Sequence, residues 1–155
     1  MVSLQTSRQR ARAIAAAVPD PEIPALTIAD LGILRAVEIA EDGAVIARLS
    51  PTYMGCPAVL AIELAVTTAL QEAGFQARTE RVLSPPWTTD WITEEGRRKM
   101  AAYGIAPPVS EGRAPACPQC GSASTEKLSE FGSTACKALW RCTACLEPFD
   151  YFKCL

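Results

Sequence analysis

The stretch Pro51-Thr52-Tyr53-Met54-Gly55-Cys56-Pro57 decides the reading of this chain, because it joins two segments of different periodicity. Before it, Ala44-Val45-Ile46-Ala47-Arg48-Leu49 alternates as a half-buried strand does. After it, residues 57–73 are rich in Ala, Leu, Ile and Val and are closed by Gly74, which predicts a buried helix. Proline suits the first position of such a helix, where its missing N–H has no partner to lose. Cys56 is thereby expected at or next to the N-cap, facing unpaired backbone N–H groups and the positive end of the helix dipole. Cysteines in that setting are the reactive ones, and Gly55 lets the backbone turn sharply and a ligand or partner come close. A small buried hydrophobe under a helix is the plainer reading of the same residue.

The rest of the composition narrows the chemistry. The chain has 155 residues, enough for one ordinary domain or a small domain plus a module, and at 49% apolar it can bury a proper core. A net charge of −2 gives no general reason to expect nucleic acid or an acidic membrane as partner. The longest apolar run, in 57–73, is interrupted by Glu63, so no membrane span is expected. Histidine is absent, which excludes Ser-His-Asp and Cys-His nucleophile pairs, His-ligated metals and the Glu-x-x-His di-iron motif. Any chemistry falls to Cys, Asp, Glu or the backbone. Of seven cysteines, Cys56 stands alone in the first part and the others begin at Cys117. An odd number, no secretory signal and paired metal-ligand spacing point to reduced thiols and a cytoplasmic protein rather than a disulfide framework. Arg8, Arg10 and Arg12 before the first acid, Asp20, faintly resemble a transit peptide. An amphipathic first helix with Leu4, Ala11, Ile14, Ala15 and Val18 on its apolar side is the better account.

In chain order, residues 3–17 read as a helix, ended by Pro19 and the proline-broken run Asp20-Pro21-Glu22-Ile23-Pro24. Two carboxylates in a rigid segment can hold a turn, cap a helix or line a site. Thr27 to Gly32 reads as a short helical turn. Strands are expected at 33–39 and 44–49, joined through Glu41-Asp42-Gly43, a strong hairpin signal. A third strand over 76–83 follows the helix, then Ser84-Pro85-Pro86-Trp87, with Thr89 or Asp90 able to cap a helix over 91–103. Trp87 and Trp91 read as a core lid that could also cover whatever Cys56 faces. The order α-β-β-α-β-α predicts a small α+β domain over 1–104, with helices on one face of a three-stranded sheet.

Four of these motifs occur in an order that resembles a family. Asp20-Pro21-Glu22-x-Pro24, then Asp30-Leu31-Gly32-Ile33, then Thr52-x-x-x-Cys56-Pro57 opening a helix, then Pro86-Trp87, are similar to the small domain of iron–sulfur cluster assembly proteins, the SufT-like group included. The likeness covers about residues 10–105. It implies that Cys56 is the thiol that handles iron or a cluster, transiently, and that Asp20, Glu22 and Thr52 lie close by. One protein thiolate suits brief holding or partner contact rather than a permanent cluster.

Prolines and glycines from 105 to 116 mark a linker. It leads to a module over 117–155, in which Cys117-Pro118-Gln119-Cys120 and Cys142-Thr143-Ala144-Cys145 present two Cys-x-x-Cys knuckles. Each knuckle offers two sulfurs and the pair completes a tetrahedral four-cysteine site, as in zinc ribbons. So short a segment buries too little to fold alone, and bound metal would supply much of its folding free energy. Zinc is expected, although a rubredoxin-like iron site uses the same ligands. Cys136 and Cys154 remain over, as accessory thiols, ribbon core or an alternative ligand pair.

The ribbon residues Ser129-x-Phe131-Gly132-Ser133-Thr134-x-Cys136-Lys137-Ala138 and Glu147-Pro148-Phe149-Asp150-Tyr151-Phe152-Lys153, following an assembly-type domain, resemble the PaaD-like family found in bacterial phenylacetyl-CoA epoxidase systems. That resemblance implies a non-enzymatic accessory role in aerobic phenylacetate degradation. The role it implies is maturation of a multicomponent monooxygenase, by delivery of metal or cluster to its oxygenase or its reductase. A permanent structural component of the complex is the nearest alternative. Nucleic-acid binding is not expected, because in the ribbon Lys127, Lys137, Arg141 and Lys153 are matched by Glu126, Glu130, Glu147 and Asp150. A thiol enzyme built on Cys56 lacks a histidine base.

Overall fold

A computed structural model describes residues 3–53 and 55–153. The chain divides into two compact units, residues 1–87 and 88–155.

In the first unit helix α1, Leu4–Ala16, starts at Ser3, whose hydroxyl accepts the Thr6 N–H at 3.2 Å. It buries Ala11 and Ala15, while Leu4, in the first turn, is exposed instead of joining the apolar side. The proline-broken run then folds back. Pro19 bridges Thr27, the Asp20 N–H reaches the Leu26 carbonyl at 2.8 Å, and Ile23, Leu26, Ile28 and Leu31 enter the core. Thr27 and Asp30 cap each other's backbone reciprocally: Asp30 Oδ2 accepts from Thr27 N and Thr27 Oγ1 from Asp30 N.

Strands β1, Leu34–Ile39, and β2, Val45–Leu49, form the antiparallel hairpin, with Gly43 at φ 82° in its turn. Helix α2, Ala58–Glu72, carries the chain across to β3, Ala77–Arg81, which pairs parallel to β2. A parallel neighbour requires such a crossover. The sheet order is β1-β2-β3. Helix α1 packs on β1 and β2, α2 packs on β2 and β3, and the two helices touch each other. Val45, Ala47 and Leu49 are buried in β2; on its opposite face Arg48 bridges Glu38 at 3.2 Å and Glu80 at 2.7 Å. This is the expected α+β arrangement, with a helical layer on a three-stranded sheet.

In the second unit, Thr88 opens a single 3-10 turn, Thr89–Trp91, and helix α3 runs over Glu94–Ala102. The cap of α3 is Thr93, which accepts from Gly96 N at 2.9 Å, rather than Thr89 or Asp90. Glu94 and Glu95 in its first turn and Lys99 in its last complement the helix dipole. Strands β4, Ile105–Ala106, β5, Thr125–Ser129, β6, Lys137–Cys142, and β7, Pro148–Phe152, form one sheet in the order β4-β7-β6-β5. The boundary therefore differs from the one read from proline and glycine content. Residues 105–106 are a strand paired parallel to β7, and Val109 packs against the ribbon core. Burial of Ile105 and Ala106 on β7 outweighs the linker-like composition that follows them.

Candidate functional site

In the second unit the knuckles converge. The four sulfurs of Cys117, Cys120, Cys142 and Cys145 all lie within 4.8 Å of one another, with Cys117 to Cys145 at 3.7 Å and Cys120 to Cys142 at 3.6 Å. A zinc ion about 2.3 Å from each sulfur sets tetrahedral S···S separations of about 3.8 Å, so the sulfur set fits the ion. Each knuckle is a tight turn. Gly121 N bonds the Cys117 carbonyl at 2.9 Å, and the Cys142 N–H bonds the Glu147 carbonyl at 2.9 Å. Strands β5 and β6 carry the outer ends of the turns, and the Thr143 N–H and hydroxyl both bond the Ser124 carbonyl.

The sulfurs differ in how readily they ionise, and a cation would let all four do so. The Cys145 N–H donates to the Cys142 sulfur, and this bond, ahead of all other influences, holds the Cys142 thiol down at about 6. The Glu147 N–H favours the Cys145 thiolate, but burial and the sulfurs of Cys142, Cys120 and Cys117 outweigh it and push that thiol up to about 12. Four sulfurs this close cannot all ionise against one another unless a positive ion sits among them. Cys136 is buried beside Thr134 Oγ1 at 3.0 Å and stands outside this group. Cys154 lies outside the described residues.

In the first unit the Cys56 stretch is anchored from below. Ser50, fully buried, donates its hydroxyl to the Val82 carbonyl at 2.9 Å, and its N–H bonds the Ile33 carbonyl at 2.8 Å. The end of β2 is thus fixed to both neighbours before Pro51 turns the chain away. Gly55 sits at φ 80°, the left-handed region that only glycine enters freely. Pro57 is the N-cap, with no side-chain cap bond, so Cys56 stands one residue before the cap rather than on it. Its carbonyl accepts from Val59 N at 3.1 Å.

The Cys56 side chain is largely buried against Tyr53, Ala58 and Val59, yet it lines a cleft of about 250 Å³. Pro51, Leu60, Leu83 and Arg81 complete most of that wall. Two of its lining leucines are largely exposed, Leu60 at 66% and Leu83 at 50%, and Leu64, one turn further along α2 from Leu60, is exposed at 68%. Thr52 faces a second, smaller cavity of about 100 Å³ shared with Trp87, Pro86 and Val82. Trp87 is held there by its indole N–H, which donates to the Leu31 carbonyl at 2.8 Å. Asp20 and Glu22 are not among the described residues lining either space. Asp20 is buried and its Oδ1 accepts from Glu22 N and Ile23 N, each at 2.8 Å. Sequence reasoning missed Ser50, Arg81, Leu60 and Leu83. Glu63 was visible only as an interruption of an apolar run, yet it grips Arg81 at 2.6 and 3.0 Å.

Comparison with known proteins follows the same division. Residues 107–153 match the family described as the PaaD zinc beta ribbon domain, and residues 8–81 match the family described as iron-sulfur cluster assembly protein. An Escherichia coli protein named as the D subunit of a 1,2-phenylacetyl-CoA epoxidase is 47% identical over 150 residues, 92% of this chain and 90% of that one. The Fe-S protein maturation auxiliary factor SufT of Staphylococcus aureus is 36% identical over 91 residues, 57% of this chain and 99% of that one. Two solved structures share the fold at 22% identity and cover 63% of this chain. One is a domain of unknown function from Bacillus anthracis, TM-score 0.52 over 93% of its chain. The other is a conserved hypothetical protein from Thermotoga maritima, TM-score 0.51 over 97% of its chain.

Proposed function

This chain belongs to the PaaD family, that of the D subunits of 1,2-phenylacetyl-CoA epoxidase, and from that premise we propose that it is an accessory maturation factor of the epoxidase system. It assists the insertion of iron or an iron–sulfur cluster into a partner protein, the oxygenase or the reductase, and is not itself the catalyst. Its work belongs in the cytoplasm, where thiols stay reduced.

The observation that carries the reading is Cys56 in an open, apolar-rimmed cleft, within the part of the chain that matches iron–sulfur cluster assembly proteins. A thiolate is the natural ligand of iron and of iron–sulfur clusters. A single one in the wall of a cleft holds cargo loosely enough to surrender it, and the exposed Leu60, Leu64 and Leu83 give a client protein apolar surface on which to settle. We extend the proposal to Asp20, Glu22 and Thr52 as residues that assist Cys56, although none of the three lines its cleft. In the ribbon, Cys117, Cys120, Cys142 and Cys145 hold one structural zinc, and iron would take the same four sulfurs. The ion ties β5, β6 and the 117–120 turn together, and the ribbon so stapled docks on the partner.

The test is the metal and acid-labile sulfide content of anaerobically purified protein, wild type beside Cys56→Ala. Both should carry one zinc per chain, with additional iron and sulfide in wild type alone. Zinc alone in both, even after reconstitution with ferrous iron and sulfide, would instead favour a stoichiometric adaptor of the epoxidase complex.

A further inference from the structure

Arg81, at the end of β3, is the one charged side chain among the described residues that line the Cys56 cleft; the others are Pro51, Tyr53, Gly55, Pro57, Val59, Leu60 and Leu83. Its guanidinium is gripped from one edge. Glu63, on α2, accepts from Nε at 2.6 Å and from Nη2 at 3.0 Å. Such a side-on pair fixes the plane of the guanidinium and occupies two of its donors. Nη1 makes no hydrogen bond or ion pair among the described residues. Glu63 is the more buried partner, 19% exposed against 46% for Arg81, so the carboxylate is the anchor and the guanidinium the outward-facing member.

A sulfide-bridged, thiolate-ligated iron centre is anionic. Brought against prolines, Tyr53, Val59, Leu60 and Leu83, it loses water on several sides, and an anion in that position needs a countercharge. We infer that Arg81 is that countercharge: it binds the anionic iron–sulfur cargo at Cys56 through its free Nη1 edge, and Glu63 is the positioning residue that aims it. This rests on the reading of Cys56 as the handling thiol and adds a residue outside the four motifs quoted from the sequence.

Two measurements on the full-length, zinc-loaded protein separate the inference from the reading beneath it. The first compares alkylation of Cys56 by iodoacetate, an anion, with alkylation by neutral iodoacetamide, followed by mass spectrometry of the Cys56 peptide. The ratio of the two rates cancels the thiolate fraction and reports only the field at the sulfur. Arg81→Gln should lower the iodoacetate-to-iodoacetamide ratio about threefold, and added salt should erase the difference, as expected for a partly exposed charge. Arg81→Lys should restore most of the ratio. A ratio unchanged in Arg81→Gln would overturn the inference whatever Cys56 does.

The second is reconstitution with ferrous iron and sulfide. Arg81→Gln should retain severalfold less iron and sulfide than wild type while keeping its zinc and its thermal midpoint. Arg81→Lys should fall between the two, because it keeps the charge but cannot meet Glu63 and the cargo with separate edges. Full retention in Arg81→Gln beside loss in Cys56→Ala would sink the role of Arg81 and leave the handling thiol standing. No iron in wild type would remove the handling reading, and the alkylation ratio would still show whether Arg81 places a cation at the thiol.

Discussion

Gly121 and Leu146 occupy matching places in the two knuckles, each directly after the second cysteine of its Cys-x-x-Cys turn, and both backbones are left-handed, at φ 76° and φ 67°. The turn that wraps a metal site from Cys120 demands the same conformation from Cys145, but there it is met by a residue with a Cβ. For an L residue other than Asn, Asp or Gly that conformation costs about 1–2 kcal/mol. Leu146 is 68% exposed, so its side chain returns little of that cost through burial. Leu146→Gly is expected to stabilise the ribbon by about 0.5–1 kcal/mol, the flexibility of glycine in the unfolded chain offsetting part of the gain. Chemical denaturation of the zinc-loaded protein, monitored by the circular dichroism of the ribbon transition, checks it; a loss of stability would mean that the exposed Leu146 side chain packs on something in solution.

Metal removal should act on one unit alone. The ribbon core cluster includes the ligands Cys117 and Cys142 themselves, beside Ala106, Ala138, Phe149 and Tyr151. A core so small depends on the ion for much of its folding free energy. Cys142→Ala, or exposure to a strong chelator, should release the metal and abolish the β5–β7 sheet signal, while the 4–81 core keeps its cooperative transition. Two resolved transitions in calorimetry, of which only one responds to chelator, is the expected pattern. A Cys142→Ala protein that stayed folded and metal-loaded would mean that Cys136 or Cys154 completes the site.

Much of this architecture was legible because it rests on local rules. The Cys-x-x-Cys spacing, the Asp42-Gly43 turn and the switch from alternation to a helical apolar run at Pro57 each fix a structure from neighbouring residues. What escaped depends on partners far along the chain. Ile105-Ala106 is a strand only because Asp150 and Tyr151 lie beside it. Ser50 matters only because Val82 lies across from it, and Arg81 meets Cys56 in one cleft only after α2 has crossed over to β3. The cap of α3 was misplaced for a different reason: Thr88, Thr89, Asp90 and Thr93 are all competent caps, and the 3-10 turn at Thr89–Trp91 uses the first of them.

Cys56→Ala tests whether the thiol is there for packing or for chemistry. The side chain touches Tyr53, Ala58 and Val59 at the edge of the core, and replacing sulfur by hydrogen at such a site removes about 1 kcal/mol. The variant should therefore fold with a thermal midpoint only a few degrees lower, yet fail to mature the epoxidase in a cell whose own copy is deleted. Phenylacetyl-CoA epoxidation in extracts, set beside the melting curve, reads both. A collapse of stability would make Cys56 a core residue first.

Asp20 separates a turn residue from a site residue more finely. Its Oδ1 closes the turn by accepting from both Glu22 N and Ile23 N, beneath the fully packed Leu26 and Ile28. Asp20→Ala leaves those two N–H groups without their acceptor, and a loss of about 2–3 kcal/mol is expected. Asp20→Asn keeps a carbonyl oxygen in the same place and should lose less than about 1 kcal/mol, so it isolates the negative charge from the turn. If the carboxylate takes part in handling iron, the asparagine variant should fold like wild type and retain less iron after reconstitution. Equal iron in Asp20→Asn and wild type would reduce Asp20 to the fold of its own turn, and the handling of iron would then rest on Cys56 and the groups that line its cleft.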